Sequence, residues 1–389
     1  MSVTAPLGFR AAGVTAGLKE SGQPDVAVVL NDGPSRAAAA VFTANRVQAA
    51  PVLWSRQVVS GGRVRAVALN SGGANACTGS LGFQDTHATA EHLAATISAA
   101  GEEVGAGEIA VCSTGLIGER LPMGKLLPGV AAAVAEASRA GGLAAADAIR
   151  TTDTVVKIAF RRGMGGYTIG GMAKGAGMLA PALATMLCVI TTDADLGPAE
   201  LDAALRSATA VTFDRLDADG CMSTNDTVLL LASGAAGVRP EAAEFAVTLT
   251  EVCADLARQL QLDAEGAGTA IAIEVVGAAS ERDAVSAGRA VARSALLKCA
   301  IAGEDPNWGR VLSAVGTTDA VFEPDRLNVA INGVWVCRHG AAGDERSKVD
   351  LAPKDVTITV DLSAGPHSAI ILTTDLTVAY VHENSAYST

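Results

Sequence analysis

The sequence predicts a mixed α/β protein, and three observations carry that reading. Runs of β-branched and aliphatic residues alternate with alanine-rich stretches whose apolar positions recur at helical spacing. The chain has 389 residues, 49% of them hydrophobic and 18% charged, enough to bury a sizeable core across two domains or one large layered body. The run from Arg326 to Thr374 is rich in strand-like segments, which argues against a simple doubly wound parallel sheet.

The first half reads in this order. Asp25–Asn31 (DVAVVLN) is a strand ending at the turn residues Asp32-Gly33-Pro34, and Val64–Asn70 (VRAVALN) is a second ending at Ser71-Gly72-Gly73. Phe83–Ala100 has helical spacing and stops at Gly101. Glu108–Thr114 is a strand, and Gly124–Ala140 a helix with Pro128 near its first turns. Strands follow at Thr154–Arg161 and Tyr167–Met172, then a glycine-rich stretch Gly170–Pro181 and an apolar strand-like run Thr185–Ile190. The second half has helices at Pro198–Ala210, Pro240–Leu262 and Ser280–Ala302, and strands at Thr269–Val276, Arg326–Cys337, Val356–Leu362 and Ser368–Thr374. Only 3% of residues are aromatic, so the core packs through Ala, Val and Leu with its elements close together.

Charge and cysteine usage narrow the function classes. A formal net charge of −12 shows no basic footprint for nucleic acid. The seven cysteines are scattered without a C-x-x-C pair, which speaks against a zinc or thioredoxin-like site and suits reduced thiols. Met1–Gly17 lacks the basic start and apolar block of a signal peptide, and no apolar run of about 18 residues exists for a membrane span. A cytoplasmic protein with no membrane or nucleic-acid partner, no metal and no cofactor is expected.

The usual catalytic patterns are missing. His87, His92, His339, His367 and His382 form no H-E-x-x-H pair, and no G-x-S-x-G elbow occurs. Gly175-Ala176-Gly177-Met178-Leu179-Ala180 fits G-x-G-x-x-A, but Pro181 and a strand-like run follow where a dinucleotide site needs a helix N-terminus. More telling is Gly171–Asp193, where Lys174 sits in the glycine-rich stretch and Ala184-Thr185 opens the apolar run. A threonine after a small residue can attack its own upstream carbonyl. The new N-terminus then carries a hydroxyl and an α-amine on one residue, so the amine can serve as base without histidine. Read alone, Thr185 is one more β-branched strand residue.

Seven blocks, in order from near one end to the other, resemble the ornithine acetyltransferase (glutamate N-acetyltransferase) family of arginine biosynthesis. They are LNSGGANACTG (69–79), CSTGLIGERLPM (112–123), TTDT (151–154), GMAKGAGMLAPALATML (171–187), FDRLDADGCMSTNDT (213–227), DPNWGR (305–310) and ENSAYST (383–389). The resemblance implies two stacked sheets with helices outside, a helix/sheet/sheet/helix arrangement. It implies a precursor that cuts itself into 1–184 and 185–389 between Ala184 and Thr185. The freed Thr185 would carry acetyl from N-acetylornithine to glutamate through an acetyl-threonine ester.

The same resemblance implies an oxyanion hole at Thr114 and Gly115. It places substrate binding at Thr151, Lys174, Thr185, Glu265, Asn384 and Thr389, with Thr151 favoured over its neighbour Thr152. Lys174 suits a carboxylate and Glu265 an ammonium. Ala176 and Ala182 stand where relatives often carry serine or asparagine, and neither bears chemistry. Bifunctional relatives also take acetyl-CoA, and no residue here decides that point. Relatives assemble from two of each fragment, so a heterotetramer is expected. Two competing readings stay open: a related self-cleaving aminopeptidase or amidohydrolase, and a non-catalytic protein on the same scaffold.

Overall fold

The computed structural model describes residues 2–180 and 186–386. Among these, three sheets form the frame. The first has four strands in the order Phe9–Val14, Val26–Asn31, Ala66–Asn70 and Ile109–Ser113, the last two parallel. The second has five, in the order Ala37–Phe42, Thr227–Ala232, Leu187–Thr192, Thr168–Lys174 and Lys157–Arg162. Only the pair Leu187–Thr192 and Thr227–Ala232 is parallel there.

The alternation of side chains sets the layers. Along Leu187–Thr192, Leu187 and Val189 enter the core shared with the first sheet. Cys188 and Ile190 enter the core shared with the helices Pro198–Val211 and Ala242–Leu262. Leu229 and Leu231 against Val228 and Leu230 repeat the pattern one strand over. A strand buried on both faces is largely apolar, and this one, fully buried over its six residues, is apolar from Leu187 to Ile190 and ends in Thr191 and Thr192. Helices Ala50–Ser60, Gly79–Ser98, Met123–Glu136 and Gly142–Ala148 pack with the first sheet. The result is the expected helix/sheet/sheet/helix stack.

A third sheet extends it. Its six strands run in the order Ala341–Ala342, Val334–Arg338, Asn328–Ile331, Asp355–Asp361, Ala270–Ala278 and His367–Thr374. Helices Glu281–Ala292, Ala295–Ala302 and Trp308–Val315 share its core. The segment DPNWGR belongs here: Asn307 caps the last of these helices by accepting the Arg310 N–H, and its amide donates to Asp305.

Four expectations need correction. The helix expected over Gly124–Ala140 ends at Glu136, because Ser138 leaves it to form a two-way backbone bridge with Ala11. The strand expected over Tyr167–Met172 runs on to Lys174, into the glycine-rich stretch, and a Cβ on Gly170 would stand 2.1 Å from the Ser2 carbonyl oxygen, so the residue serves close approach of the N-terminal segment. The strand expected over Arg326–Cys337 is a hairpin turning at Asn332-Gly333, a pair with a strong turn preference. The helix expected over Ser280–Ala302 is two helices, Glu281–Ala292 and Ala295–Ala302.

The break comes at Ser294, whose hydroxyl accepts the Leu297 N–H and caps the second helix. Arg293, the residue before it, donates to the buried Asp217. Ser294→Ala is expected to lower stability by about 1 kcal/mol, read as a lower urea midpoint with an unchanged slope. An unchanged midpoint would mean the cap contributes nothing.

Candidate active site

A cavity of about 520 Å³ opens at the C-terminal ends of the strands Ala66–Asn70, Ile109–Ser113 and Thr168–Lys174. Thr114, Gly115, Thr151, Lys174, Glu265 and Asn384, brought from distant parts of the chain, all line it. Ala184, Thr185 and Thr389 lie outside the described residues.

Lys174 is the fixed point of the wall. It ends its strand 2% exposed, so its ammonium is satisfied by protein groups. Nζ donates to the Thr151 hydroxyl at 2.7 Å and to the Thr114 hydroxyl at 3.3 Å. Asp153 stands 3.9 Å away as counter-ion. Burial lowers the Lys174 pKa from its usual value, and the Asp153 charge opposes that fall. Because both hydroxyls accept from Lys174, their own protons are free to point at a ligand. Thr152 also lines the cavity, but Thr151 makes the contact.

Asp153, which the sequence reading passed over inside TTDT, ties these groups together. It is buried, pairs with Lys157 at 2.6 Å, and accepts the N–H groups of Gly175 at 2.6 Å and Thr151 at 3.1 Å. Burial works against its charge, but Lys174, Lys157 and the Gly175 amide outweigh it and hold the pKa at about 2. Lys157 also donates to Asp263 at 2.5 Å, and Asp263 accepts the Thr154 amide. The carboxylate thus fixes the turn after Lys174 and the Thr151 loop at once.

The opposite wall is a loop lattice built from two other motifs. The Asn70 amide donates to the Gly73 carbonyl and Asn70 accepts the Ser113 hydroxyl. The Asn225 amide donates to the carbonyls of Ala74 and Ser113, tying STNDT to LNSGGAN. Gly73 N–H donates to the Thr114 carbonyl at 3.0 Å. Gly115 follows with φ +130°, a backbone region closed to most side chains. Its N–H meets no acceptor among the described residues, leaving a free donor beside the Thr114 hydroxyl on the cavity wall.

Glu265 closes another side. Its backbone N–H donates to the Ala176 carbonyl at 2.9 Å. Its carboxylate lies over Gly177, where a Cβ would stand 2.7 Å from Oε2. Asn384 reaches the cavity from the helix Val378–Ala386, its amide donating to the Tyr380 carbonyl. The cavity therefore carries a cation and a carboxylate on different walls, with two hydroxyls and a free N–H between them.

Met186 is the first described residue after Ala180, and the ladder pairs Leu187 with Lys174. A larger, open hollow of about 780 Å³ lies elsewhere, lined by Arg215, Arg282, Arg289 and Arg293. Arg215 pairs with Glu281, Arg293 with Asp217, and Arg289 donates to the Asp214 carbonyl, so these three dock a helix. Among the described residues no group of three or more His, Cys, Asp or Glu is arranged to hold a metal, and no helix is long and apolar enough to cross a membrane.

Asp153→Asn would leave two buried ammonium groups short of a counter-charge. The expected loss of stability at pH 7 is about 3–5 kcal/mol, read by urea unfolding. The Asp153 pKa lies below its unfolded value of 3.8. Its contribution is therefore present above that pH and lost as pH falls towards 2. The variant should lose less stability than the parent across this acid window, and equal acid losses would contradict the account.

A family model described as the ArgJ family matches residues 10–389. The chain is 74% identical over 389 residues to the arginine biosynthesis bifunctional protein ArgJ of Thermobifida fusca, covering 100% of both chains. It is 59% identical to the protein of the same name from Mycobacterium leprae, covering 99% of this chain and 95% of that one. Among solved structures it is similar to an ornithine acetyltransferase from Mycobacterium tuberculosis complexed with ornithine. That match is 62% identical, covers 48% of this chain and 96% of the other, and has a TM-score of 0.46. Matched from residue 10 to its last residue, and aligned end to end with ArgJ proteins, the chain belongs to the ArgJ family.

Proposed function

We propose that this chain is a glutamate N-acetyltransferase that carries acetyl from N2-acetylornithine to glutamate, giving ornithine and N-acetylglutamate. The observation that carries the reading is the pairing of Lys174 with two hydroxyls and a free Gly115 N–H in one cavity. That cavity adjoins a strand that begins two residues after Thr185.

The residues divide the work as follows. The chain cuts itself between Ala184 and Thr185, and the α-amine of Thr185 accepts the proton of its own hydroxyl. A free α-amine has a pKa of about 7.7–8.0, suited to that task near neutrality. The hydroxyl oxygen attacks the acetyl carbonyl carbon, and the tetrahedral oxyanion is met by the Thr114 hydroxyl and the Gly115 N–H. One such donor lowers a barrier by about 3 kcal/mol. Ornithine leaves with the proton, and the acetyl-threonine ester passes its acetyl to glutamate by the reverse steps.

Both amino acids present an α-carboxylate, which the Lys174 ammonium and the Thr151 hydroxyl receive. Glu265 takes the ornithine ammonium, while Asn384 and Thr389 close the site from the C-terminal end. The name of the relatives includes the word bifunctional. Acetylation of Thr185 by acetyl-CoA, giving N-acetylglutamate afresh, is the matching second activity. Two copies of each fragment form the working assembly, and free cysteines among the described residues suit a reducing cytoplasm.

Expressed alone, the chain is expected to yield two fragments, the second beginning Thr-Met-Leu on N-terminal sequencing. Thr185→Ser keeps a hydroxyl and should still split. Thr185→Ala should remain one inactive chain, and its cleavage at the same bond would rule out self-processing by this residue.

A further inference from the structure

The proposed transfer asks one cavity to accept two side chains of opposite charge. Ornithine brings an ammonium, and glutamate brings a second carboxylate. Glu265 suits the first and repels the second, because charges in a partly buried cavity are weakly screened. Lys174 is assigned to the α-carboxylate that both molecules share. Those two charges alone would favour return of the acetyl group to ornithine, so glutamate needs a further cation.

Among the described residues that line the cavity, Lys19 is the one other cation. It lies on the loop after the strand Phe9–Val14. Asp25 holds this loop. Its Oδ1 accepts the Ala16 N–H at 2.6 Å, and its Oδ2 accepts those of Leu18 at 2.5 Å and Lys19 at 3.1 Å. Leu18 packs on Gly72, where a Cβ would stand 2.2 Å from the Leu18 Cβ. The Lys19 backbone is therefore fixed against the motif LNSGGAN. Its Nζ donates to the carbonyls of Pro24 at 2.8 Å and Arg150 at 2.7 Å. Both acceptors are uncharged, and they take two of the three ammonium protons. Burial lowers the Lys19 pKa, the Asp25 charge opposes that fall, and a bound carboxylate would oppose it further. Glu20 also lines the cavity but is exposed, so water weakens its hold on the neighbouring ammonium.

The spacing of the two ammonium groups follows from a loop they share. Lys19 holds the Arg150 carbonyl, and Lys174 holds the hydroxyl of the next residue, Thr151. Oxygens on neighbouring residues keep the two nitrogens within about 11 Å of each other. An extended five-carbon diacid holds its carboxylate carbons about 5 Å apart, and each ammonium contact adds about 3 Å. One glutamate can therefore span both.

We propose that Lys19 selects glutamate as the acceptor by receiving its side-chain carboxylate while Lys174 holds the α-carboxylate. The inference rests on the reading of the chain as an enzyme that transfers acetyl to glutamate. Lys19 makes and breaks no bond in the transfer; it sets which amino acid is accepted.

The test compares two reactions in the full-length unchanged chain, Lys19→Met and Lys19→Arg. One is transfer from N-acetylornithine to glutamate. The other is acetyl exchange between N-acetylornithine and isotope-labelled ornithine, which does not use the proposed contact. In Lys19→Met, kcat/KM for glutamate should fall at least about tenfold relative to exchange, through KM and not kcat, as expected for loss of a charged hydrogen bond. The same variant should lose much of the parent's preference for glutamate over glutamine. Lys19→Arg keeps the charge and should recover much of both. An unchanged glutamate KM in Lys19→Met would overturn the proposal. So would equal losses in transfer and exchange, the signature of a purely structural Lys19. If circular dichroism shows that Lys19→Met does not fold, Lys19→Gln, which keeps donors for the two carbonyls, is read against the same outcomes. An unchanged chain that exchanges acetyl with ornithine yet ignores glutamate would remove the transfer reading and this inference with it. A parent that performs both reactions confines a failure to Lys19.

Discussion

The Lys174 ammonium is buried in protein, and the surrounding chain must do what water would otherwise do. An ammonium in such a place is tolerated only with a nearby counter-charge and filled donor positions. Asp153 supplies the charge, and Thr114 and Thr151 accept two of the three protons. Asp153 is itself buried and needs its own partners, found in Lys157 and the amides of Gly175 and Thr151. One ion network therefore fixes the turn after Lys174, the Thr151 loop and the position of the Thr114 hydroxyl. A change in any member is felt by the others, so substitutions within it should not be additive.

The sheets place this network and hold the two halves together. The five-stranded sheet takes Ala37–Phe42, Lys157–Arg162 and Thr168–Lys174 from before position 184 and two strands from after it. Leu187–Thr192 lies between Thr168–Lys174 and Thr227–Ala232, hydrogen-bonded on both sides. Scission between Ala184 and Thr185 would leave every one of these ladders intact. Two apolar cores continue across the same sheet on its opposite faces.

Much of this was legible in the sequence, and the failures have physical causes. Val26–Asn31, Ala66–Asn70 and Ile109–Ser113 are recognisable because burial on both faces leaves nearly unbroken aliphatic runs. Ala37–Phe42 was invisible: four alanines suggest a helix by propensity, yet here small side chains suit an edge strand wedged between layers. The break at Ser294 carries no glycine or proline, only a serine whose capping role appears with the Leu297 contact. In the site, the resemblance supplied the grouping that spacing could not, because the cavity residues are far apart in the chain. Asp153 was hidden within one of these motifs. Its signal was an acidic residue flanked by threonines, TTDT, which acquires meaning only once the carboxyl is seen buried.

The central claim is that Thr185 carries the acetyl group between the two amino acids. The most direct measurement is the intact mass of the fragments after incubation with N-acetylornithine and no glutamate. The account predicts one added acetyl group on the 185–389 fragment, located on Thr185 by peptide mapping and lost when glutamate is added. An unmodified fragment in an enzyme that still transfers acetyl once glutamate is present would contradict it, because the acetyl group would then pass directly from donor to acceptor.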